Sequence, residues 1–246
     1  MFIHMSRRNQ MIERYTRPEM GHLWSIQNEW QTILNVEIAA CEAMAELGEI
    51  PTAAVENIKA NAKFDVARIN EIEKTTDHDI IAFLTNLEEN VGEDSKYIHK
   101  GLTSSDVKDT AYCVMMRDAA AIILDDLNAF REVLRRRAEE FRHTPCIGRT
   151  HGIHAEPMTF GLKLLLWSAE IERDIERLTR AKEIVSVGKL SGAVGTYSNI
   201  DPRIEELTCK KLGITPVRLA TQVIQRDRHA EFVTTLAIIA GTMEKI

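Results

Sequence analysis

Two histidines, an arginine, a threonine and a carboxylate fall within the run Gly148-Arg149-Thr150-His151-Gly152-Ile153-His154-Ala155-Glu156-Pro157. A histidine titrates near neutral pH, so either ring suits general acid or base work. Arg149 can fork a carboxylate or a phosphate, and the glycines let backbone come close to a ligand. The same residues also read as a plain connection between two helices whose histidines cap or pair. A metal set of His151, His154 and Glu156 is a third reading, but the run lacks the helical i, i+4 histidine pair that would mark one.

A second group is Gly101-Leu102-Thr103-Ser104-Ser105-Asp106, with His99 two residues upstream. Thr103 and Asp106 have the spacing of a capping box. Three consecutive hydroxyl residues at a helix N-terminus also suit an anion, which the backbone N–H groups and the helix dipole favour. The third group, Thr76-Asp77-His78-Asp79, is a helix start with a histidine beside the cap. One reaction would use all three groups: an anionic substrate, hydroxyl donors for its carboxylates, and histidines to move protons. Arg14-Tyr15 is by itself only a dipeptide.

The elements that must hold these groups are helical. Five stretches, 22–47, 52–91, 102–144, 162–187 and 217–240, contain neither glycine nor proline. In the first, Leu23, Trp30, Leu34, Ile38, Cys41 and Ala45 recur at amphipathic spacing, and Gly48 stands where a C′ glycine would end the helix. The second is less continuous, with a fresh helix start near residue 77. The third carries Tyr112, Met115, Ala119, Ile122, Leu127, Phe130, Leu134, Ala138 and Phe141 at mostly helical spacing. A helix of about 30 residues would span about 45 Å, too long for a small globule on its own. The fourth repeats the pattern with Leu165, Ile171, Ile175, Leu178 and Val185. Long antiparallel helices joined by short loops make a bundle. No strand alternation and no internal repeat are evident, and the apolar spacing is not a sustained heptad.

Composition agrees. Twelve glycines and six prolines in 246 residues fall well below the roughly 12% of average usage, which argues against a turn-rich sandwich or barrel. Hydrophobic residues at 44% and charged residues at 28% exclude disorder. No apolar run nears the roughly 18 residues of a membrane span. A net charge of −6 gives no support to nucleic-acid binding. Cys41, Cys113, Cys146 and Cys209 form no Cys-x-x-Cys pair and read as core thiols of a reducing compartment, the cytoplasm by default. Residues 1–10 have no secretory h-region and read as an extension ahead of a second start at Met11. At the other end Val223, Phe232, Leu236, Ile239, Met243 and Ile246 form an apolar stripe with no terminating signal, so the expectation is a fragment of a longer chain.

At these residues the sequence resembles the adenylosuccinate lyase family of the fumarase/aspartase superfamily. The matching positions are Glu13-Arg14-Tyr15, Thr76 with His78-Asp79, His99 with Gly101 to Asp106, and Gly148 to Pro157. They continue through Lys189-Leu190-Ser191-Gly192-Ala193-Val194-Gly195-Thr196 and Thr221-Gln222 with Gln225 to His229. The Gly-Arg-Thr-His stem is shared across the superfamily, while the continuation Gly152 to Pro157 is particular to this family.

The resemblance implies an all-α fold, with an N-terminal helical domain over 1–117 and the first part of a central long-helix bundle over 118–246. It implies β-elimination of fumarate from adenylosuccinate, giving AMP, and from the succinyl-carboxamide ribotide of purine synthesis, with no metal or organic cofactor. His151 would be the general acid and His78 a second essential histidine. Arg14 and Tyr15 would hold the nucleotide, and Asp77, Asp79, Thr103, Ser104 and Thr150 would line the substrate site. Gln222 would contact substrate, and His99 would belong to the phosphate or substrate shell. Family members commonly carry a basic residue where Asp77 stands, and an acid there repels an anionic substrate unless its side chain faces away. The family's Ser-Ser-x-Met-Pro-x-Lys-x-Asn loop, source of the catalytic serine base, does not occur here and is expected beyond Ile246, so the chain alone should be inactive. The implied assembly is a homotetramer with shared active sites and no membrane or nucleic-acid partner. A metal hydrolase and a non-catalytic helical scaffold are the alternatives from other classes.

Overall fold

The computed structural model describes residues 12–246; the expected extension over residues 1–10 and the second start at Met11 lie outside the described residues. After a 3-10 turn at Glu13–Tyr15 come α1 (Pro18–Leu23), α2 (Ile26–Glu46), α3 (Thr52–Asn61), α4 (Val66–Thr76) and α5 (Asp79–Val91). A second 3-10 turn, Gly92–Tyr97, leads to α6 (Ser104–Glu140), a helix of 37 residues. A hairpin of β1 (Pro145–Thr150) and β2 (Ile153–Thr159) precedes α7 (Phe160–Val185). The chain then runs through β3 (Val187–Gly188), α8 (Pro202–Leu212), β4 (Thr215–Pro216) and α9 (Asp227–Lys245). The fold is all-α, with short strands as local connections.

Two compact units result: residues through Met116 together with Ser186–Gln225, and Arg117–Val185 together with Arg226–Ile246. The segment 186–225 thus packs with residues that precede it by seventy positions or more. In the first unit α2 supplies the central apolar face, with Trp30, Ile33, Leu34, Val36, Ala40, Cys41 and Met44 all buried. Its start is capped by Ser25, whose hydroxyl accepts the Asn28 N–H at 3.2 Å. Its end follows the glycine expectation in detail: Gly48 takes φ 75°, Glu49 N–H donates to Met44 O, and Gly48 N–H donates to Ala45 O. That pair of bonds satisfies carbonyls the helix end would leave open. Trp30 stacks on Phe83 of α5 at 4.9 Å, and Ile58, Ile69, Ile80, Leu87, Leu190 and Ile204 complete the core.

In the second unit α7 and α9 pack antiparallel, tied by Arg228 donating to Ile184 O at 2.9 Å and by the Lys245–Glu170 pair. The buried seam of α7 is Leu164, Ser168, Ile171, Asp174, Leu178, Ala181 and Val185. Leu165, which periodicity places on the stripe, instead lies half exposed beside Leu162 and Leu166. The fifth glycine-free stretch is helical only from Asp227 onward.

The connection at 145–159 is a β-hairpin rather than a simple loop, which corrects the reading that found no strands. Its two faces are both largely exposed, so no apolar alternation marks it. The signal it does carry is local: Thr150 and Ile153 are β-branched and flank His151-Gly152, both at positive φ (53° and 70°). Two such residues form the primed turn that matches strand twist.

Candidate active site

His151 sits exposed at the tip of that hairpin, one residue beyond Thr150. Arg149 pairs across the hairpin with His154. The register shifts between Ile147 and Arg149, so Ala155 and Glu156 share the span opposite Gly148. Among the described residues no group of His, Cys, Asp and Glu is arranged to hold a metal ion. These residues belong to the second unit. The other expected site residues, Arg14, Tyr15, Asp77, His78, Asp79, His99, Thr103, Ser104 and Gln222, all belong to the first.

Between α4 and α5 the chain turns on Asp77 and His78. Asp77 ends α4 in the left-handed region (φ 49°, ψ 26°), a conformation that Asp and Asn tolerate better than most side chains. Its side chain is exposed. His78 caps α5, its Nδ1 accepting the Ile81 N–H at 3.3 Å. With Nδ1 an acceptor, the neutral ring carries its proton on Nε2, the nitrogen left for a ligand. Asp79 binds Lys108 of α6. Burial works against its charge, but the lysine and the Ile80 N–H outweigh that and hold its carboxyl below the usual range.

Thr103 and Ser104 stand half-buried at the start of α6. The capping-box spacing is realised from one side, with Thr103 N–H donating to Asp106 Oδ2 at 2.9 Å. Asp106, however, does more than cap. It is fully buried, forms an ion pair with the equally buried Lys189, and accepts the Gly192 N–H at 3.2 Å. Lys189 Nζ also donates to Gly192 O at 2.7 Å, and its backbone exchanges hydrogen bonds with the Thr110 hydroxyl at 3.0 and 3.1 Å. One turn on, Asp109 accepts the Ile224 N–H at 2.8 Å, next to the segment that carries the exposed Gln222. The first turns of α6 therefore anchor both the glycine-bearing loop after Lys189 and the Gln222 segment.

Two glycines show how closely these strands of chain approach. A Cβ on Gly101 would lie 2.3 Å from Asn199 O, and one on Gly195 would lie 2.2 Å from Ala220 O. Both have φ near +80°. Glu205 locks the same loop from α8, accepting Leu190 N–H at 2.6 Å and the Tyr197 hydroxyl at 2.8 Å.

His99 is the best-defined of the expected site groups. Its Nδ1 lies 2.6 Å from Glu37 Oε1, and its backbone N–H donates to Glu37 Oε2 at 3.0 Å. Glu37, Lys189 and Glu205 were given no role in the sequence reading, and Asp106 only that of a cap. Glu37 had a visible signal, since it falls on the apolar stripe of α2 between Leu34 and Cys41. Asp106 and Lys189 lay inside recognised motifs, yet nothing in their spacing joins them across 83 residues.

Cys41, Cys113 and Cys209 are buried and none of the four cysteines is in a disulfide. Burial first, then neighbouring carboxylates, pushes the Cys41 and Cys209 thiols up to about 12. Cys41, Cys113 and Cys209 are packing groups as expected, whereas Cys146, on the hairpin, is only half-buried.

A family model described as lyase matches residues 6–246. The adenylosuccinate lyase of Synechocystis sp. is 54% identical over 96% of this chain, and that of Bacillus subtilis is 52% identical over the same share. The chain spans about half the length of these relatives, 54% in each case. Among solved structures, a fumarate lyase from Mesorhizobium sp. BNC1 superposes with a TM-score of 0.87 at 31% identity, over 92% of this chain and 55% of its own. A 3-carboxy-cis,cis-muconate lactonizing enzyme from Pseudomonas putida gives 0.88 at 29% identity, over 96% of this chain and 56% of its own.

Proposed function

Since this chain belongs to the lyase family matched over residues 6–246, we propose that the protein it forms, or forms part of, eliminates fumarate from adenylosuccinate to give AMP. The same reading extends to the succinyl-carboxamide ribotide. The observation that carries it is the identity of about half of this chain's residues to adenylosuccinate lyases.

In this reading a base removes the proton β to the leaving nitrogen, giving a carbanion stabilised as an aci-carboxylate. The C–N bond then breaks while an acid protonates the departing nitrogen. His151 is the acid, and its exposed place on a hairpin tip supports that role because a ligand can reach the ring there. His78, whose Nδ1 accepts the Ile81 N–H, is the second essential histidine and turns its Nε2 to the substrate. Thr103 and Ser104 meet the carboxylate on which charge develops, where preorganised donors act most strongly. Arg14, Tyr15 and Gln222 hold the nucleotide, with Asp79 and Thr150 lining the site. Asp77 acts through its left-handed turn rather than by contact. The family's serine-bearing loop does not occur in these 246 residues, and none of them is assigned as the base.

Residues 1–117 are read as the N-terminal helical domain and 118–246 as the first part of the central bundle, although 186–225 of the latter packs with the first unit. The assembly is a homotetramer with active sites shared between subunits, in the cytoplasm. No helix among the described residues is long and apolar enough to cross a membrane.

The test is fumarate release from adenylosuccinate by the full-length protein and its His151→Ala variant. Loss of general acid catalysis should lower turnover by about 100-fold or more with the oligomeric state kept. Unchanged turnover removes His151 from the chemistry, and no fumarate from the wild-type protein removes the reading itself.

A further inference from the structure

Glu37 is 1% exposed, in the middle of α2, among Ile33, Val36, Ala40 and Cys41. A carboxylate in such surroundings is costly unless paired. Both of its oxygens are engaged by a single residue 62 positions away: Oε2 by the His99 N–H and Oε1 by His99 Nδ1. An ionised carboxylate only accepts, so Nδ1 carries a proton and the ring's free nitrogen is Nε2. The backbone fixes the ring further. His99 has φ 64°, Leu102 N–H closes a turn onto its carbonyl at 3.1 Å, and Gly101 is pressed against Asn199.

We propose that Glu37 is a positioning residue that holds His99 as an imidazolium, so that its Nε2–H donates to an anionic oxygen of the nucleotide substrate close to Thr103 and Ser104. This rests on the lyase reading above, which supplies the anionic substrate. Charge on the donor roughly doubles the strength of such a bond. The groups that face His99 agree with a cation. From α2 come Glu37 and, nearby, Cys41, whose thiol stays protonated; from α6 comes Asp106, itself paired with Lys189. Burial opposes the charged ring, but Glu37 and then Asp106 outweigh it and raise the His99 pKa above its ordinary value.

Glu37→Gln keeps the shape and removes the charge. In the full-length protein the variant should raise the KM for adenylosuccinate roughly ten-fold or more while changing kcat little. The excess KM should shrink as pH falls and the neutralised ring regains its proton, a recovery that a merely structural defect would not show. In a His99→Gln background, Glu37→Gln should add no further KM effect. Long-range 1H–15N spectra should show a wild-type His99 that holds its Nδ1 proton throughout and titrates at higher pH than in Glu37→Gln.

A His99 that titrates alike in both proteins, or whose neutral form is protonated on Nε2, overturns the proposal. So does an unchanged KM. If Glu37→Gln does not fold, the wild-type spectrum decides: a His99 titrating at or below the ordinary 6.5 overturns it. Absence of turnover by the wild-type protein would overturn the lyase reading, with the spectroscopic result standing separately.

Discussion

Two histidines of the first unit, His78 and His99, engage their Nδ1 atoms differently, His78 accepting a backbone N–H and His99 facing a buried carboxylate. Contact with a buried carboxylate ties His99 to stability as well as to its proposed role in binding. Folding raises its pKa, so the stabilisation from the charged ring is complete below the unfolded value near 6.5 and disappears as pH rises through the folded one. His99→Gln should therefore destabilise the first unit more at pH 6 than at pH 9, read from denaturant midpoints at the two pH values. The Asp106–Lys189 pair has no exposure at either side chain, so removing one partner strands a charge. Lys189→Met should cost about 3–5 kcal/mol. Asp106→Asn combined with it should recover part of that, a non-additivity measurable by thermal unfolding. At this scale residue types were legible and their partners were not. The Thr103–Asp106 spacing announces a cap, but the second oxygen of Asp106 and its lysine are a tertiary fact.

Among elements, the helices were legible because glycine and apolar periodicity mark them, as the Gly48 terminus of α2 shows. The hairpin was not, since neither face is buried and period-two alternation reports burial rather than backbone pairing. Asp174 misleads in the other direction, a charged residue on the seam of α7 that its periodicity would place among apolar neighbours. The glycines separate two kinds of constraint. Nothing lies within 4 Å of a Cβ built on Gly152, so Gly152→Ala should cost only its left-handed backbone, about 1–2 kcal/mol. Gly195→Ala has the same φ problem and also a carbonyl at 2.2 Å, so it should lose clearly more, visible as a larger drop in melting temperature. It should also displace the Gln222 segment, weakening nucleotide binding where Gly152→Ala does not.

For the whole molecule, the second unit leaves a row of leucines uncovered on α7: Leu162, Leu165 and Leu166 are 57%, 50% and 63% exposed. They lie at i, i+3 and i+4, one face of the helix. Burying a leucine is worth about 1.5–3 kcal/mol, so the proposed tetramer should depend on them. Leu166→Glu is expected to shift sedimentation toward smaller species while the first unit keeps its melting behaviour.

The first unit closes on itself only through residues far apart in the chain, since Asp106 meets Lys189 and Asp109 meets Ile224. During synthesis at about 5–20 residues per second, the 83 residues between Asp106 and its lysine take roughly 4–17 seconds to emerge. Until then the start of α6 keeps a carboxylate that must stay in water, and the helices before it have no lid from Leu190 and Ile204. The surroundings of the Thr103 and Ser104 hydroxyls are thus assembled late, after the hairpin and α7 have already left the ribosome, and a pause in translation before Lys189 would expose an unfinished apolar core to chaperones rather than a small folded domain.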